Sequence, residues 1–239
     1  METAKQSIRF HEQENHRLYD QAMTSGYRKY DEVFPTTNSY KHLAGIITHL
    51  STSFGHSISV LDVGCGTGRY FHCLRNLKEL TGIDVSHYML LEARDPYKRS
   101  VIPLDSISLI EGNFYTHSFG NEKFDFIYSV GVLGEHAVFD QSVADKLFSL
   151  LRDGGKLFFT VVDIEPRKNL KRKAAEALYP FLPKKVRNIL DQRWETLYMS
   201  YAQLDNIMKK TAFTNYTILQ HLSEDPKWKG AHLECIAEK

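Results

Sequence analysis

Three glycines at alternating positions follow an apolar run in Val60-Leu61-Asp62-Val63-Gly64-Cys65-Gly66-Thr67-Gly68-Arg69, and no other stretch limits the fold so tightly. The run Ile58 to Val63 predicts a strand buried on both faces, as in a parallel sheet. Glycine tolerates positive φ and, lacking Cβ, lets the backbone approach a ligand. A helix is expected from about Arg69 to Leu77, which would turn the free N–H groups of its first turn toward the loop. Strand, glycine turn and helix in succession form the place where a nucleotide-like ligand sits in an open α/β sheet.

Spacing narrows the ligand. A dinucleotide fingerprint would need its third glycine where Arg69 stands, and no Gly-Lys-Ser or Gly-Lys-Thr occurs for a phosphate loop. The pattern is instead Asp-x-Gly-x-Gly-x-Gly, with Asp62 two residues before Gly64. A carboxylate there would repel a pyrophosphate and suit the ammonium of an amino-acid group. These residues resemble motif I of the class I S-adenosylmethionine-dependent methyltransferases.

Other stretches agree in order. Leu80 to Ser86 predicts a second strand ending in Asp84, 22 positions after Asp62, where a carboxylate can accept ribose hydroxyls. Ile107 to Phe114 predicts the third strand and its exit, Phe124 to Val130 the fourth, and Leu151 to Thr160 a turn and the fifth. The family often has an aspartate at Asn113, facing the adenine amino group; the Asn113 amide oxygen can also accept. The resemblance implies an α/β Rossmann-like fold: a seven-stranded, mostly parallel sheet with a C-terminal antiparallel hairpin, helices on both faces and a helical cap inserted after strand five. It also implies S-adenosyl-L-methionine as cofactor, held by Asp62, Gly64, Cys65, Gly66, Gly68, Tyr70, Asp84, Val85, Met89, Asn113, Phe114, Ser129 and Val130.

Within one domain of 239 residues, the expected parts are an N-terminal helical lid (1–56), a cofactor-binding core (57–162), a helical cap (163–200) and a C-terminal helix and hairpin (201–239). In the lid, Ile8 to Met23 predicts a helix ended near Gly26, and Tyr40 to Leu50 a second one, capped from the turn Pro35 to Ser39. Tyr27 and Tyr30 either contact the acceptor or pack the lid onto the sheet. Later, Asp140 to Leu151 predicts an amphipathic helix ended by Gly154-Gly155.

The stretch Ser129 to Ala137 carries most of the chemistry, because it leaves the fourth strand at its carboxyl end. Glu135 and His136 place an acid beside an imidazole there. A hydroxyl acceptor needs a base, and histidine titrates in the useful range. His136 is therefore the candidate catalytic and acceptor-binding residue and Glu135 its orienting partner; the alternative for His136 is a structural contact.

In the cap, residues 167–193 carry nine basic side chains, Lys171 and Arg172 among them, against two acidic ones. Such a lid would favour an anionic acceptor; a solvated helix face, a membrane surface and nucleic acid are the competing explanations. The whole chain balances 30 basic and 29 acidic groups, which argues against a general polyanion binder. DNA is not expected, since no Asn-Pro-Pro-Tyr, Asp-Pro-Pro-Tyr or Pro-Cys motif occurs. Three cysteines form no metal or disulfide spacing, so no metal is expected and the compartment reads as cytoplasmic. No apolar run has the length of a membrane span. The leading expectation is methyl transfer to an oxygen or nitrogen of a small-molecule acceptor. The alternatives are an RNA-modifying methyltransferase and a non-catalytic cofactor-binding subunit, and assembly into a homo-oligomer is left open.

Overall fold

The structure, a computed structural model, describes residues 21–33, 36–102, 106–163, 178, 181, 183, 198–222 and 231–239. Its sheet is built from β1 (Ile58–Val63), β2 (Leu77–Asp84), β3 (Ile107–Glu111), β4 (Phe124–Ser129), β5 (Leu151–Val162), β6 (Asn215–Leu222) and β7 (Ala231–Glu238). The seven strands run in the order β3-β2-β1-β4-β5-β7-β6. The first five are parallel to one another, while β7 is antiparallel to both β5 and β6. The expected Rossmann-like sheet with its C-terminal hairpin is therefore the observed one.

Chain order reverses at β1 and β4: β2 and β3 lie to one side and β5 to the other. Beyond the carboxyl ends of strands at such a reversal, loops diverge and leave a crevice. Both central strands are buried along their whole length, and their side chains alternate between two cores. Leu61, Val63, Phe124 and Ile127 face one core, with α4 (Gln141–Leu150) and α5 (Tyr201–Met208) packed on it. Ile58, Val60, Phe126 and Tyr128 face the other, against α2 (Asn38–Thr52) and α3 (His87–Ala93). Helix starts follow the expected capping chemistry: Thr37, Ser86, Asp140 and Ser200 each accept a backbone N–H from the first turn.

Three local expectations are corrected. Helix α1 (Gln21–Val33) continues through Gly26, where a Cβ would meet nothing within 4 Å, and ends at Val33. The glycine costs roughly 0.5–1 kcal/mol of helix propensity, which the buried contacts of Asp31 further along offset. Residues 8–20 of that expected helix lie outside the described residues.

The helix expected at Arg69 to Leu77 is instead a turn and a single 3₁₀ turn, Phe71–Cys73, with β2 already beginning at Leu77. Side chains of α2 take the backbone groups that an α-helix would bond internally. Thr48 Oγ1 donates to the Cys73 carbonyl at 2.8 Å, and Ser51 Oγ accepts the Arg75 N–H at 3.0 Å. Asn76, at φ +54°, then turns the chain into the strand. No α-helix N-terminus stands behind the glycine turn.

Finally, α4 stops at Leu150 before the two glycines. Gly154 and Gly155 lie inside β5, where the pairing with β4 shifts between Phe124 and Phe126. A Cβ on Gly155 would stand 2.7 Å from the Arg152 carbonyl oxygen, so the bulge itself needs that glycine. Most of the expected cap, including Lys171 and Arg172, lies outside the described residues. Among the described residues no helix is long and apolar enough to cross a membrane.

Candidate active site

A cavity of about 580 Å³ opens above the carboxyl ends of β1, β2 and β4. Its size is within the usual range for a small-ligand site. One wall is the glycine turn. Gly64 (φ +74°) lies under Val132, whose Cγ2 would stand 2.4 Å from a Cβ there. Gly66 (φ +51°) has open space where a Cβ would project, so a ligand can lie against its backbone. Gly68 is off the cavity and backs onto the Phe71 ring.

Two carboxyls flank this turn. Asp84 Oδ2 accepts the Gly66 N–H and Oδ1 the Ser86 N–H, both at 2.9 Å. The acid at the end of β2 thus fixes the turn and still lines the cavity. Asp62 is buried, also lines the cavity, and forms no ion pair among the described residues. Burial pushes its carboxyl up to about 8, against a lowering by the Tyr128 hydroxyl, with Asp84 adding to the rise. That hydroxyl makes no hydrogen bond of normal length.

The remaining expected residues divide. Cys65, Tyr70, Val85, Met89, Asn113, Phe114 and Val130 line the cavity, as do Tyr27, Glu135 and His136. Ser129 does not: its hydroxyl is fully buried and donates to the Val63 carbonyl at 2.8 Å, tying β4 to β1. Asn113 faces the cavity with its amide oxygen already accepting the Tyr115 N–H at 2.8 Å. That bond makes an Asx turn, which competes with an outside donor for the same oxygen. The Tyr30 side chain is outside the described residues.

The loop after β4, whose Val132 packs over Gly64, brings Glu135 and His136 to the same cavity, His136 Nε2 standing 3.8 Å from Glu135 Oε1. Burial lowers the affinity of His136 for a proton below the ordinary imidazole value. Its imidazole is therefore neutral around pH 7 and carries a lone pair able to accept a proton. Thr160 fixes the same loop by accepting the Gly131 N–H at 2.9 Å.

The matched family model, a methyltransferase domain, covers residues 60–155, from β1 and its glycine turn into β5. Residues 60–155 are similar to a methyltransferase domain. Solved structures agree on the fold. The plantazolicin methyltransferase BpumL, in complex with S-adenosylhomocysteine, superposes with TM-score 0.60 at 13% identity, over 98% of both chains. The N-methyltransferase NodS from Bradyrhizobium japonicum, in complex with the same compound, gives 0.57 at 18% identity, over 85% of this chain and 89% of its own. Phosphoethanolamine N-methyltransferase 2 from Haemonchus contortus gives 0.65 at 14% identity, over 92% of this chain and 57% of its own.

Several residues that hold the walls of this cavity together are invisible in the motif. Asp31, buried in α1, accepts hydrogen bonds from Thr67 in the glycine turn and from Arg69 just after it. The Arg69 guanidinium lies 5.7 Å from the centre of the Tyr27 ring. Lys146 of α4 donates to the carbonyls of Phe114 and His117, at 2.5 and 2.8 Å, and so holds the loop after β3. No spacing rule links these partners; only the segment they fasten was marked by its glycines.

Proposed function

We propose that this chain transfers a methyl group from S-adenosylmethionine to an oxygen or nitrogen atom of a small-molecule acceptor, anionic if the basic segment 167–193 faces the cavity. The observation that carries the reading is that a buried Asp62 carboxyl with no ion pair among the described residues and a neutral His136 imidazole line one cavity. The open space at Gly66 and the chemistry of the two carboxyls fit the cofactor.

When bound, S-adenosylmethionine supplies a methyl group on a positively charged sulfur. Asp62 would take the ammonium of its amino-acid end, the Gly66 backbone would lie against it, and Asp84 would accept from the ribose hydroxyls. Met89 and Phe114 would give the base an apolar wall. On the acceptor side His136 would receive the proton that the acceptor atom loses, with Glu135 orienting the ring. Orientation of the two reactants carries much of the rate in a displacement of this kind.

The test is transfer of a tritiated methyl group to fractionated small metabolites, with Asp84→Ala as control. Label appearing in a low-molecular-weight fraction with the parent enzyme alone supports the assignment. Label found only in RNA, or nowhere, overturns it.

A further inference from the structure

Beside the cavity, where α2 crosses the C-terminal hairpin, a second cluster has no place in methyl transfer. Glu234 of β7 is 1% exposed, and imidazoles surround its carboxylate. His42 Nε2 is 2.8 and 2.9 Å from its two oxygens, and His232 Nε2 is 3.0 Å from Oε1. His221 of β6 pairs directly across from His232, and its ring stacks on that of His42 with centroids 4.2 Å apart. Ligand atoms of His42, His221 and Glu234 all lie within 4.8 Å of one another.

We propose that His42, His221 and Glu234 bind a divalent transition-metal ion of the zinc class. A buried carboxylate is costly unless paired, and a divalent ion compensates its charge directly. Two imidazole nitrogens and one carboxylate oxygen form a donor set that zinc favours. The surroundings also suit an ion. His232 also contacts the carboxylate, the kind of outer contact that orients a metal ligand. His42 is exposed on its helix and gives the ion a way in. Around tetrahedral zinc, ligand atoms at about 2.0–2.2 Å from the metal stand roughly 3.3 Å apart, so closure needs only side-chain adjustment.

The ion would clamp α2 to the hairpin. Ser39 and Leu43 of α2 and His232 of β7 all line the cavity, so the clamp would stiffen the wall away from the glycine turn. The site does not depend on which acceptor is methylated.

The experiment is calorimetric titration of the full, chelator-stripped chain with zinc chloride, repeated on His42→Ala and His221→Ala, with thermal melts alongside. The expected result is one saturable equivalent and a zinc-dependent rise in melting temperature. Each variant should lose about tenfold or more in affinity and show little of that rise. Absence of saturable binding, or unchanged affinity in His42→Ala, overturns the proposal. His42 is exposed, so its variant decides the matter even if His221→Ala fails to fold.

Discussion

Asp31 and Arg69 form a side-chain ion pair that fastens α1 to the end of the glycine turn. Asp31 is 1% exposed, and Thr67 shares its carboxylate, so the helix over the cavity and the loop beneath it are one hydrogen-bonded unit.

Removing one partner of that pair leaves the other charge poorly compensated, at a cost of about 3–5 kcal/mol for a buried pair. Asp31→Ala should therefore loosen α1 before it unfolds the sheet. Hydrogen exchange is expected to accelerate over residues 24–33 and around Thr67, with β1 and β4 unchanged. Uniform acceleration across the sheet would show that the pair is not local.

Asp84 carries two contacts in the proposed site, the backbone of Gly66 and the ribose. Asp84→Ala should weaken binding of S-adenosylhomocysteine by about 1–3 kcal/mol, roughly tenfold to a hundredfold. Calorimetry with that compound reads the effect directly, and unchanged affinity would remove Asp84 from the binding site.

Asp62 titrates near 8 in the folded chain and near 3.8 unfolded. Its neutral form is favoured by folding, so its stabilising contribution is complete below about pH 4 and is lost as pH rises through about 8. Asp62→Asn should flatten the fall in stability over that window. Ammonium binding reverses the preference, so cofactor binding at pH 7 should release up to about one proton. Titrations in buffers of different ionisation enthalpy measure this; no proton release would mean that Asp62 is already ionised.

Burial lowers the proton affinity of His136, so it protonates only as pH falls below the ordinary imidazole value of 6.5. If it is the base, activity should hold through neutrality and decline on an acid limb below that value. His136→Ala should abolish that limb and lower kcat by about 10²–10⁴-fold, with cofactor affinity unchanged. A fully active variant retires the role.

The strands were legible because a sheet buried on both faces imposes long apolar runs, and glycines mark where those runs must turn. The cap Thr37, in the turn before Tyr40, was legible for a similar reason, since a side-chain acceptor at a helix start satisfies backbone groups only a few residues away. The segment after Arg69 was misread because its backbone partners, Thr48 and Ser51, come from a different helix. Of the expected pair Ser129 and Val130 only Val130 lines the cavity, because strand alternation turns the Ser129 hydroxyl toward Val63.

Sequence alone determined the sheet and marked the Asp62–Gly66–Asp84 constellation that lines the cavity, because each depends on residue type at fixed short spacing. Only the tertiary structure decided that Asp31 latches the glycine turn, that Asn113 spends its amide oxygen on Tyr115, and that His42, His221 and Glu234 meet. Those groups stand far apart along the chain or differ only in orientation. Contact between them is set by how helices pack on a twisted sheet, which no local pattern encodes.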